Sequence, residues 1–257
     1  MSQTFTSDAG GVQIAYDDVG GGRPVVLVHG FASDRRGTWR AAGWDDALAD
    51  AGYRVLALDV RGHGESDAPH DPAAYEPAVV AGDVVGLLDH CGIDEADLVG
   101  YSMGARLSMH LLVDHPDRFG AVVLAGVGER TLREERYSAA IADALAADDP
   151  DDVSDPTARE FRAFAARRGN DLTALAAFRR APQAGLTMDP ARLASVVAPV
   201  LVVAGGEDDL VGDPGPLADA IPGATAVVIP GRDHLSAVDD PRHRAAVRSF
   251  LDRARRD

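Results

Sequence analysis

Short runs rich in Val, Leu and Ala recur along the chain at residues 25–28, 55–58, 98–99, 121–125, 200–204 and 225–229, punctuated mostly by Gly or Asp. They are continuous rather than alternating, so each reads as a strand covered on both faces, the signature of a parallel sheet. Stretches with helical spacing lie between them, at 38–51, 78–91, 103–114, 214–221 and 241–253. Strand, loop, helix, strand in repetition predicts the α/β class, a mostly parallel central sheet flanked by helices. Residues 4–17, where Gly10-Gly11 separates two β-prone runs, predict an antiparallel hairpin at the sheet edge.

The alternation breaks once. Residues 128–198 offer no strand, only helix-like stretches at 131–147, 156–168 and 171–180. A core domain of 1–127 and 199–257 carrying a helical lid, 128–198, is the expected organisation. The lid would cover the C-terminal ends of the strands, where open α/β sheets bind ligands. A length of 257 residues suits one large domain with such an insertion.

Composition narrows the function classes. The apolar runs fall far short of the ~20 residues of a membrane span, and Met1-Ser2-Gln3-Thr4-Phe5 lacks the basic start of a signal peptide. The single Cys91 excludes an internal disulfide framework and a Cys-based zinc site. A formal charge of −16 disfavours nucleic acid and anionic membranes. A cytoplasmic location is expected, with no nucleic-acid or membrane partner; the oligomeric state is left open. All 25 basic residues are Arg, and Asp outnumbers Glu by 33 to 8. A GC-rich genome explains Arg for Lys but not the acidic excess, which suits a protein working in concentrated salt.

The sharpest chemical signal is Gly100-Tyr101-Ser102-Met103-Gly104, between the run ending at Val99 and the helix opening at Met103. A tight strand-to-helix turn presents the Ser hydroxyl, and Gly on either side avoids clashes. The base it needs is His234, which follows the last strand at the same sheet edge. His90, His110 and His115 fall within or at the end of helices, and His70 and His243 lie in polar stretches that read as surface. An acid to hold the imidazole should follow a strand between Ser and His in chain order. Glu207-Asp208-Asp209 fills that place, with Asp208 favoured and Asp209 next, although a solvated acidic loop is the plain alternative. After the run 25–28, His29-Gly30-Phe31 can offer the Phe31 N–H, to pair with that of Met103 around a developing oxyanion.

The chain resembles the α/β-hydrolase-fold enzymes over essentially its full length. His29-Gly30-Phe31, Asp59-Val60-Arg61-Gly62-His63-Gly64-Glu65-Ser66, Gly100-Tyr101-Ser102-Met103-Gly104, Gly205 to Asp208 and Gly231 to His234 follow the family's order, each at a strand end. The resemblance implies Ser102 as nucleophile, Asp208 as acid, His234 as base and the Phe31 and Met103 amides as oxyanion hole, with His63 in a structural loop. Ala105 departs from the further Gly of many relatives. Dehalogenases and most epoxide hydrolases of this fold carry Asp at the nucleophile position, so Ser102 argues against both. No metal site is visible and no motif calls for a cofactor.

The leading expectation is a serine hydrolase acting on a small ester, thioester or lactone. Its pocket walls would come from the lid, where Phe161, Phe164, Leu172, Leu175 and Phe178 serve either as lining or as lid core. Two alternatives stand beside it. The string Gly100 to Arg106 resembles the menaquinone-pathway lyase of this fold, with Arg133 and Arg136 as its basic residues, and a C–C hydrolase falls in the same group. A small-molecule receptor of hydrolase fold is the non-enzyme reading.

Overall fold

The computed structural model describes residues 2–133, 138–181 and 188–254. Its strands are β1 (Gln3–Thr6), β2 (Gln13–Gly20), β3 (Arg23–Val28), β4 (Tyr53–Leu58), β5 (Ala96–Tyr101), β6 (Phe119–Ala125), β7 (Val200–Gly205) and β8 (Thr225–Ile229). Its helices are α1 (Trp44–Asp50), α2 (Pro77–His90), α3 (Met103–Asp114), α4 (Ser138–Ala146), α5 (Pro156–Arg167), α6 (Leu172–Arg180), α7 (Pro190–Leu193), α8 (Gly215–Asp219) and α9 (Pro241–Ala254). The strands form one eight-stranded sheet in the order β1-β2-β4-β3-β5-β6-β7-β8. The expected hairpin is β1–β2, and β2 meets β4 antiparallel, while β3 to β8 and β4 pair in parallel.

The sheet shows why the apolar runs are continuous. Successive side chains point to opposite faces. Val26, Val28, Leu56, Leu58 and Leu98 join Val84, Leu87, Leu107 and Leu111 of α2 and α3. Val25, Leu27, Val55 and Val99 join Trp44 and Leu48 of α1 and Val247 and Leu251 of α9. Both faces are therefore dry, and each fully buried Val or Leu contributes roughly 1.5–3 kcal/mol.

The helix expected at 38–51 is broken. A π-type turn at Arg36–Arg40 precedes α1, and between them Gly43 takes φ 71°, which stops helical continuation. The stretch expected at 131–147 is a 3₁₀ turn at Glu129–Leu132 and then α4, with 134–137 outside the described residues. Between β6 and β7 the described residues hold helices and no strand. Asp155 and Asp171 cap α5 and α6, accepting from the N–H groups of Ala158 and of Thr173 and Ala174. None of the described helices is long and apolar enough to cross a membrane.

His243, expected at the surface, is fully buried. Its polar sequence neighbours lie on the other side of α9, whereas His243, Val247, Phe250 and Leu251 form the inward stripe. The ring sits 5.1 Å from that of Trp44, edge to face, and Nδ1 lies 3.0 Å from the Ala237 carbonyl. His29 and His63 are buried as well. His29 Nε2 accepts from the Val60 N–H at 3.0 Å while Nδ1–H donates to the Gly30 carbonyl at 2.8 Å, which fixes one neutral tautomer.

Burial pushes His29 and His243 down to about 4 and His63 to about 3, from an ordinary 6.5. The unfolded chain therefore binds these protons first as the pH drops. Stability is unaffected above 6.5 and declines as pH falls towards 4, at about 1.4 kcal/mol per pH unit for each such histidine. Melting temperature measured between pH 6.5 and 5 should fall steeply. With His110, also lowered by burial, adding in the same direction, His243→Asn should reduce the slope by roughly a quarter to a third, and an unchanged slope would refute this account.

Candidate active site

Between β5 and α3 a single residue turns the chain. Ser102 has φ 54° and ψ −108°, a left-handed conformation that costs a residue with a Cβ about 1–3 kcal/mol. The surroundings hold it there. Its N–H donates to the Ala125 carbonyl of β6 at 2.7 Å. A Cβ at Gly100 would collide with the Gly104 carbonyl and Ser108 Oγ, and one at Gly104 with the carbonyls of Val28 and His29. The flanking glycines thus let β5, α3 and the end of β3 close on the turn.

The loops after β7 and β8 bring two further side chains to Ser102. His234 Nε2 lies 3.0 Å from Ser102 Oγ, and His234 Nδ1 lies 2.8 Å from Asp208 Oδ2. The Asp208 side chain is fully buried, and its Oδ1 accepts the Leu210 N–H at 3.1 Å. Asp209 is exposed, with its carbonyl taken by Arg130, and Glu207 is exposed too. Of the acidic trio, only Asp208 thus meets the imidazole. Accepting the Nδ1 proton leaves the Nε2 lone pair facing the Ser102 hydroxyl, an arrangement able to withdraw its proton.

Phe31 and Met103, the expected oxyanion donors, flank the serine in the fold and are both buried. Met103 opens α3 directly behind Ser102, and the backbone before Phe31 is close: a Cβ at Gly30 would stand 3.5 Å from Ser102 Cβ. Sequence reasoning missed two supports. Tyr101 O–H donates to the His234 carbonyl at 2.6 Å, and burial drives that phenol far up in pKa, so it stays a donor. Phe31 is ringed by Phe178, His63 and Phe161 at 5.7, 5.6 and 6.2 Å, with the Arg179 guanidinium 4.1 Å over its face.

His63 stays out of the Ser–His–Asp set; its Nδ1 lies 3.1 Å from the Arg61 carbonyl. Of the other lid candidates, Leu175 is buried, and Phe164 and Leu172 are partly buried against the core. Arg133 is exposed, and Arg136 lies outside the described residues. Among the described residues no group of three or more His, Cys, Asp or Glu could hold a metal. A surface groove of about 370 Å³ bordered by Arg35, Arg36, Glu65 and Arg168 includes none of Ser102, His234 and Asp208. Its charges pair with one another and with Asp34.

The sequence model of the alpha/beta hydrolase fold matches residues 23–183. The enol-lactonase from Burkholderia xenovorans LB400 superposes with a TM-score of 0.80 at 26% identity, over 97% of this chain and 100% of that one. A hydrolase from Pseudomonas aeruginosa PA01 gives 0.74 at 29% identity, covering 97% and 98%. An epoxide hydrolase from Caballeronia sordidicola is 42% identical over 112 residues, which span 44% of this chain and 33% of that protein's length. A family match running from β3 into the helical segment, on a sheet of this order with a tight turn at Ser102 after β5, places the chain in the α/β-hydrolase family.

Proposed function

We propose that the protein is a serine hydrolase that cleaves a small carboxylic ester, thioester or lactone through an acyl-enzyme on Ser102. The observation that carries this is the hydrogen-bonded line from Ser102 Oγ through His234 to Asp208, at 3.0 and 2.8 Å. His234 Nε2 takes the hydroxyl proton as Oγ attacks the carbonyl carbon, and Asp208 stabilises the imidazolium. The carbonyl electron pair moves onto oxygen, where the Phe31 and Met103 N–H groups receive it; one such donor is worth roughly 10²–10³ in rate. Collapse expels the alcohol, thiol or ring oxygen with the proton from His234. Water, activated by the same nitrogen, then releases the acid.

The relatives named epoxide hydrolases raise a second chemistry, which Ser102 disfavours. Opening an epoxide with a serine oxygen would leave an alkyl ether with no carbonyl for water to attack. The enzyme would stop after one turnover, whereas an acyl ester on Ser102 is hydrolysable. The helices between β6 and β7 serve in this reading as a lid, whose Phe161 and Phe178 close over the Phe31 side of the site.

The test is hydrolysis of p-nitrophenyl acetate and butyrate, with styrene oxide as the control. Catalytic turnover of the esters and none of the epoxide is expected. Folded protein inert towards both esters and several lactones would overturn the reading in favour of a lyase or a receptor. The −16 charge adds a condition. Melting temperature and turnover should both rise from about 0.1 M to about 2 M KCl as self-repulsion is screened; a fall in both would remove the salt-adapted reading.

A further inference from the structure

Among the described residues, two that are not glycine have positive φ: Ser102 and Ala32, at 54° and 59°. The first is the nucleophile turn. The second directly follows Phe31 and is fully buried. Residues 30–33 form a turn closed by the Ser33 N–H on the Gly30 carbonyl at 3.2 Å, a place where Gly is the usual third residue. An alanine there relaxes towards negative φ unless something holds it.

What holds it comes from the helical segment. Asn170 Nδ2 donates to the Ala32 carbonyl at 2.8 Å. The peptide between Ala32 and Ser33 is therefore gripped at both ends, its N–H by Gly30 and its C=O by Asn170. Asn170 is itself anchored in the turn between α5 and α6, where its N–H donates to the Ala165 carbonyl at 3.2 Å. Next to it Arg168 reaches Asp34 at 2.6 Å, so the same turn fastens the chain on both sides of Ser33.

We propose that Asn170 is a positioning residue for the oxyanion site: by holding the Ala32 carbonyl it keeps Phe31 where its N–H meets the oxygen on Ser102. This rests on the hydrolase reading given above. Without the clamp, Ala32 swings back, the peptide between 31 and 32 rotates, and Phe31 moves with it. Transition-state stabilisation suffers while ground-state binding of the substrate does not.

Asn170→Ala should lower kcat about tenfold with KM unchanged. Adding Ala32→Gly should restore it, because glycine adopts the left-handed conformation without a clamp. The Phe31 amide resonance gives a readout that needs no turnover, displaced in Asn170→Ala and returned in the double variant. An unchanged kcat, or a loss that Ala32→Gly does not repair in folded protein, overturns the proposal. If no ester is turned over by the wild type, the hydrolase reading fails, and the Phe31 resonance alone decides the clamp: unmoved in Asn170→Ala, it refutes it. Should Asn170→Ala not fold, Asn170→Asp, which keeps the shape and lacks the donor, takes its place in each comparison.

Discussion

Ser102→Ala is expected to remove about six orders of magnitude from kcat for ester hydrolysis, leaving a residue of roughly 10³ over water from the oxyanion donors and binding. The methyl group cannot form the acyl-enzyme, and nothing else in the hydrogen-bonded line is placed to attack. Because the three side chains act as a unit, Ser102→Ala/His234→Ala should be little worse than either single change. Asp208→Asn should cost about 10⁴, since the amide reverses the tautomer of the imidazole. Asp209→Asn should change kcat less than twofold, because that carboxylate faces solvent. Kinetics on p-nitrophenyl butyrate measures all five variants, His234→Ala included, with circular dichroism to check folding. Substantial turnover by Ser102→Ala would sink the mechanism; loss in Asp209→Asn rather than Asp208→Asn would move the acid alone.

The largest expected effect on stability lies away from the chemistry. Arg61, in the loop after β4, and Asp83, on α2, form an ion pair at 2.7 Å with both side chains 1% exposed. Arg61 also donates to the carbonyls of Ala74 and Ala9, so its guanidinium has no route to water. Removing one partner strands the other charge in a dry interior. Asp83→Ala should cost about 3–5 kcal/mol, which for a chain of this size lowers the melting temperature by roughly 10 °C. Asp114→Ala provides the contrast: its pair with Arg192 is 45% exposed on each side and should be worth less than about 1 kcal/mol. Equal losses in the two variants would show that burial of the first pair adds nothing.

The parallel sheet was legible because its central strands β3 to β7 are dry on both faces, which writes them into the sequence as unbroken apolar runs. Ser102 and His234 were legible because a tight turn between strand and helix demands small neighbours, and because only one histidine follows a strand end in the right chain order. The acid was ambiguous by composition. Three adjacent carboxylates differ in burial, which the linear string does not carry, and only the fold separates Asp208 from Asp209. His243 was misjudged because its charged neighbours were read as a stretch, whereas the stripe of His243, Val247, Phe250 and Leu251 was there at helical spacing. The grip of Asn170 on Ala32 joins residues 138 apart and leaves no local pattern at all.

The order of the strands also sets a timetable. Ser102 and His234 are separated by 132 residues, and Asp208 stands 26 residues before His234, on the loops of the two strands that complete the far edge of the sheet. During synthesis Ser102 leaves the ribosome roughly 7–26 seconds before His234. In the proposed mechanism a nascent chain that has built the sheet through β6 and formed the Ser102 turn would still lack its base and acid. In the proposed hydrolase, reactivity would switch on only when β7 and β8 dock, so first turnover by a growing or refolding chain would report completion of the whole sheet rather than formation of the serine turn.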